Sequence, residues 1–139
     1  MTQVTLAVAK ELLDAAEQRA TEIDVPMCIA VVDDGANLVA FRRMDGGLLG
    51  SVSIAQKKAY TAVALEDTTE ALAEVARPDA SLHGIQSDDG GRFVIYGGGI
   101  PITDGDVDGG AVVGAVGASS GTVEEDITVA QAGVDAFDT

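Results

Sequence analysis

Four of the eight cations of this chain sit in two adjacent pairs, Arg42-Arg43 and Lys57-Lys58. If the pairs converge, they form a positive patch suited to carboxylates, which such cations hold through short charge-assisted hydrogen bonds. The plainer alternative is that they pair with Asp33, Asp45 and neighbouring acids. Nucleophilic chemistry has thinner material. Ser119 or Ser120 would need His83, the only histidine, as base, and no nucleophile-elbow pattern surrounds either serine. Cys28 lies in the apolar run Met27 to Val32 and reads as an inert core thiol. As the single cysteine it excludes an internal disulfide and a cysteine-built zinc site. Glu70 and Glu74 are one helical turn apart, but two carboxylates are too few for a metal site and read as a solvated face. Asp104, Asp106 and Asp108 have the spacing of a calcium loop without the distal glutamate of an EF-hand, so the segment reads as a hairpin turn.

The elements that must position these residues follow from periodicity. Thr5 caps a helix running to about Ile23, with Leu6, Ala9, Leu13, Ala16 and Ala20 on one face. Met27 to Val32 and Leu38 to Arg42 flank a turn at Asp33 to Asn37, a β-hairpin. Ser51 starts a second helix to about Leu65, with Ile54, Lys58, Thr61, Ala62 and Leu65 on neighbouring positions. Thr69 to Ala76 is a short third helix ended ahead of Pro78. Phe93 to Tyr96, Ile100 to Thr103 and Ala111 to Ala118 read as strands three, four and five. The last of these is almost wholly Val, Ala and Gly, which fits a strand covered on both faces, and its bare glycines mark close approach by another backbone or a ligand. Thr122-Val123-Glu124-Glu125 matches a capping box, and Val123, Ile127, Ala130, Val134 and Phe137 carry the final helix. The order α-β-β-α-α-β-β-β-α predicts an α+β domain with a five-stranded, mostly antiparallel sheet. Residues 1–139 read as one domain.

Composition narrows the partners. The chain has 23 acids against eight bases, a net charge of −15. Residues 1–65 hold eight acids and six bases, whereas residues 66–139 hold fifteen and two. Screening of such repulsion shortens from about 10 Å at 0.1 M salt to about 3 Å at 1 M, so this surface fits a protein adapted to high salt. With no basic stripe and only two Tyr and three Phe, nucleic-acid binding is not expected. Phosphate binding is not expected either: no lysine follows Lys58 to complete a G-x-x-x-x-G-K motif, and Glu124, Glu125 and Asp126 would repel a phosphate from the last helix. The start MTQVTLAVAK lacks a cationic region and an apolar core, and no apolar stretch reaches 18 residues. A soluble, cytoplasmic protein with no membrane partner is expected.

Four segments carry a family resemblance: VVDDGANLVAFRRMDG (31–46), AQKKAYTA (55–62), GGGIPI (97–102) and VVGAVGASSGTVEEDITVAQAG (112–133). In this order and spacing the chain resembles the GlcG/HbpS family of haem-binding and haem-degrading domains over essentially its whole length. It departs from the family pattern at Gly47, where alanine is usual, and at Ile95-Tyr96-Gly97, where the family favours Phe-Pro before the glycine pair. The resemblance implies an α-β-α sandwich that assembles into dimers or larger homo-oligomers and takes a small-molecule ligand, haem or a related tetrapyrrole. It also implies two alternatives, a component promoting oxidative haem degradation and an accessory subunit of a cobalamin- or glycolate-linked pathway. No axial ligand carries over, because these vary among members. Among the residues of this chain, His83 is the default haem-iron ligand as the only imidazole, although an ordinary exposed position outweighs that role. Tyr60, Tyr96 and Met44 are further candidates, each better read as packing. Arg43, Asp45 and Lys58 fall on the resembling motifs, with Arg43 and Lys58 expected to meet haem propionates, and Gly98, Gly99 and Pro101 of GGGIPI complete the expected cofactor-binding set with His83.

Overall fold

A computed structural model describes residues 3–105 and 110–137. Helix α1 (Leu6–Glu22) begins where the Thr5 hydroxyl accepts from Val8 N at 3.2 Å. Strands β1 (Cys28–Asp33) and β2 (Leu38–Arg43) form the expected hairpin. Its turn is built by Asp33, whose Oδ1 accepts from Gly35 N at 3.0 Å and Asn37 N at 2.9 Å. Helices α2 (Leu49–Ala64) and α3 (Thr69–Val75) follow, then two single 3₁₀ turns at Ile85–Ser87 and Asp89–Gly91. Strands β3 (Gly99–Thr103) and β4 (Val112–Ser119) lead into α4 (Val123–Asp135). The capping box is present: Thr122 Oγ1 accepts from Glu125 N, and Glu125 Oε1 accepts from Thr122 N. Backbone bonding between Asp104 N and Ala111 O closes the β3–β4 hairpin at 2.9 Å; Asp106 and Asp108 of the expected turn lie outside the described residues.

All pairings are antiparallel and the sheet order is β2-β1-β4-β3, so the described sheet has four strands and not the expected five. Phe93 to Tyr96 is the segment that fails to pair. Its Val94 N donates to Thr61 Oγ1 on α2 at 3.0 Å, which ties the segment to a helix instead of a sheet. Beyond it the chain turns through Gly98 at φ +127°, a region closed to most side chains. Pro101 supplies a second reason. It has no N–H to give a further strand, so β3, where it stands opposite Ala115, belongs at an edge.

The alternation of β1 and β4 sorts their side chains to two covers. Ile29, Val31, Val116 and Ala118 face α1 and α4, with Leu12, Leu13, Val129 and Ala130. Cys28, Ala30, Val32 and Ala115 face α2, with Ala55, Ala59 and Ala62. The result is an α-β-α sandwich. Gly117 explains how near α2 lies: a Cβ there would stand 2.1 Å from Ala55 O and 2.7 Å from Ala59 N. The bare positions of β4 therefore serve backbone-to-backbone packing. α2 also begins earlier than expected. Ser51 does not cap it, because Ser51 Oγ is buried and accepts from Ser119 Oγ at 3.1 Å. Leu48 takes the cap position without any side-chain bond.

Candidate functional site

α2 carries its small residues toward the sheet, and Lys58 lies on the same stripe as Ala55, Ala59 and Ala62. An ammonium placed there has to find partners, and it does. Lys58 Nζ donates to Asp126 Oδ2 at 2.7 Å and to Ala118 O at 2.8 Å, and the Tyr96 ring centroid lies 5.1 Å away. Lys58 has no exposed surface, and Asp126 is 3% exposed. Asp126 Oδ1 accepts in turn from Gly121 N at 2.9 Å. Burial pushes the Lys58 ammonium below the ordinary lysine range, and the attraction of Asp126 opposes it. Burial likewise pushes the Asp126 carboxyl up, against the pull of Lys58.

The glycine triplet is fitted around this pair. A Cβ on Gly98 would stand 2.6 Å from Lys58 Nζ and 2.7 Å from Ala118 O; one on Gly99 would stand 2.4 Å from Lys58 O. Gly99 N donates to Thr69 Oγ1 at 2.9 Å, and Ala118 N donates to Gly98 O at 2.9 Å. Lys58, Gly98 and Gly99 thus lie together. Asp126 joins them; it lies within the resembling segment 112–133 but was not among the expected site residues. Its signal lay in periodicity, since it shares a helical stripe with Val129, Ala130 and Gly133. Pro101 sits two residues on, half-buried at the edge of β3.

The four cations do not converge. Arg42 turns toward α1 and pairs with Asp14 at 2.7 Å and Glu17 at 3.0 Å. Arg43, the next residue of β2, is exposed and donates from Nε to Gly47 O at 3.0 Å, beside the Cys28 thiol. With Met44 and Asp45 these two arginines and Glu17 line an open hollow. Lys57 faces outward on α2, and Lys58 faces in. Lys58 therefore has no free face to offer a carboxylate ligand. His83 is exposed in the loop after α3, and among the described residues its imidazole makes no hydrogen bond. Neither Ser119 nor Ser120 bonds to it: Ser120 Oγ accepts from Leu48 N at 3.1 Å. Cys28 is buried, and desolvation raises its thiol above the ordinary range. Among the described residues no cluster of three or more His, Cys, Asp or Glu could hold a metal ion.

Sequence reasoning also missed a polar clasp. The Tyr60 hydroxyl of α2 donates to Asp89 Oδ2, Arg92 Nη2 bonds Asp89 Oδ1 at 2.8 Å, and the Arg92 guanidinium lies 4.1 Å from the Tyr60 ring centroid. Phe93 stacks on Tyr60 with centroids 6.1 Å apart. The clasp holds the loop that contains His83 and the 3₁₀ turns against α2.

Four antiparallel strands between a helix pair and a third helix, with a buried lysine under a glycine turn, form a small α-β-α sandwich domain. A family model described as haem degrading protein HbpS-like matches residues 4–135, and the chain belongs to that family. It is 42% identical over 134 residues to an uncharacterized 15.0 kDa protein of the dhaT-dhaS intergenic region of Citrobacter freundii, covering 96% of this chain and 92% of that one. It is 36% identical over 127 residues to the corrinoid adenosyltransferase PduO of Salmonella typhimurium, covering 91% of this chain but only 37% of that enzyme. Among solved structures, a PduOC–haem complex superposes with a TM-score of 0.90 at 34% identity, covering 98% of this chain and 96% of that one. None of the helices described here is long and apolar enough to cross a membrane.

Proposed function

We propose that this chain is a cytoplasmic, oligomeric domain that binds haem or a related tetrapyrrole. The single observation that carries the reading is the likeness, across 98% of the chain, to a domain solved with haem. The residues present fit the demands of such a group. Haem offers an apolar ring, two carboxylates and an iron that takes an axial donor. Among the described residues, Lys10, Arg43 and Lys57 stand outside every ion pair, and of these Arg43 and Lys57 are free to meet the carboxylates of one ligand. His83 is exposed and offers the one imidazole. Arg43 and Asp45 border one open hollow. Lys58, Gly98, Gly99 and Pro101 act on a ligand indirectly, by fixing the turn after Tyr96. When bound, the iron would supply ligand-field and redox chemistry; the residues of this chain supply apolar contact, charge and a fixed frame.

Titration of the purified protein with haemin, followed by its absorption spectrum, tests the reading. Saturable binding with a shifted Soret band supports it, and a spectrum identical to free haemin sinks it. His83→Ala should move that band if His83 ligates the iron; an unmoved band removes His83 from the site. The family description favours a second reading, oxidative breakdown of haem. Incubation with reductant and oxygen separates the two, since breakdown yields an opened tetrapyrrole and binding returns haem intact.

A further inference from the structure

The acids of this chain avoid one helix. α1, α3 and α4 each carry acids, whereas the 16 residues of α2, LGSVSIAQKKAYTAVA, contain none in a chain that has 23. The same helix begins with the two most exposed large apolar residues among those described, Leu48 at 61% and Leu49 at 76%. Leu49 and Val52 line one open hollow with Ser53, Gln56 and Lys57. At the other end of this patch stands Arg43, held beside Leu48 by its bond to Gly47 O. Two of the three cations that have no ion pair among the described residues thus flank the most exposed leucines. Exposing large side chains to water is unfavourable, and leaving cations unpaired beside them is unexpected on a surface so rich in acids.

We infer that this face is the seat of an amphipathic carboxylate, and, resting on the reading above, that the ligand is haem. The ring lies on Leu48, Leu49 and Val52, and the propionates meet Arg43 and Lys57. Charge complementarity is what selects this occupant: haem brings two carboxylates, matched to two cations that have no ion pair among the described residues.

The test is haemin titration of the unmodified protein and of four variants, with circular dichroism to confirm folding and light scattering to follow assembly. Arg43→Glu and Lys57→Glu should each weaken haemin binding about ten-fold or more, the scale of one charge-assisted hydrogen bond. Leu49→Asp should weaken it similarly without changing the assembly. Lys10→Glu makes the same change in net charge from α1, away from the patch, and should stay within about two-fold of the parent. Equal weakening by Lys10→Glu would mean that only the overall field matters, and would overturn the site. So would full affinity in Arg43→Glu and Lys57→Glu while the parent binds. Dissociation of the assembly by Leu49→Asp with affinity retained would assign the patch to a second copy. No binding by the parent would overturn both the site and the haem reading.

Discussion

An ammonium and a carboxylate buried together lose hydration that only the partner and nearby dipoles restore. Lys58 and Asp126 therefore depend on one another. Removing one partner of such a pair typically costs about 3–5 kcal/mol, because the survivor is left charged in the interior. Asp126→Ala should fall in that range by urea unfolding at neutral pH. The double replacement Lys58→Met, Asp126→Leu should be far milder, since both charges leave together. A double variant as unstable as Asp126→Ala would show that the pair is needed for more than mutual neutralisation. Lys58 was legible as a motif residue, but its motif said nothing of direction. A lysine on the alanine stripe of α2 and an aspartate on the stripe of α4 were the clues to burial, and a charge on an apolar stripe is a partner waiting to be matched.

Elements with strong local signals came out within a residue or two of their expected bounds: α1 behind Thr5, the β1–β2 hairpin around Asp33, and α4 behind its capping box. Phe93 to Tyr96 did not, because β-forming residue types cannot announce that Thr61 will take their backbone N–H. Pro101 was the overlooked warning that β3 is an edge. The close seating of α2 on β4 predicts the effect of a single methyl. Gly117→Ala would drive a Cβ into Ala55 O, forcing α2 to lift, and overpacking of this kind costs about 1–3 kcal/mol or more. A thermal melt of that variant matching the parent would contradict the packing. The clasp of Tyr60, Asp89 and Arg92 makes a pH-dependent prediction. Its bonds to Arg92 and Tyr60 hold the Asp89 carboxyl below the ordinary carboxylate range. A depressed carboxylate contributes stability at neutral pH that is lost as pH falls through the folded-state value, here below the ordinary carboxylate range. Asp89→Asn should loosen the loop at neutral pH as acid does in the parent. Protease cleavage between residues 77 and 96 would report it; equal cleavage rates for variant and parent would contradict the clasp.

Over the whole molecule, charge dominates. Fifteen net negative charges on 139 residues repel within a Debye length that shrinks with salt. The unfolding midpoint should therefore rise between 0.1 M and 2 M KCl, and a melt indifferent to salt would remove the proposal of a salt-adapted protein. We expect self-association as well. The outer edges of β2 and β3 have no strand partner among the described residues, and Leu38 on β2 is 49% exposed. Light scattering at high salt showing only a 14.1 kDa species would contradict it. Composition made the acidity plain, whereas the gathering of free cations around Leu48 and Leu49 emerged only once the pairs of Arg42 and Lys58 were seen. The central claim is that haem binds, and absorption titration of the purified protein with haemin at high salt tests it most directly. The expected result is a saturable Soret shift at a fixed ratio of haemin to protein; a spectrum that remains the sum of free haemin and protein at every ratio would contradict the account.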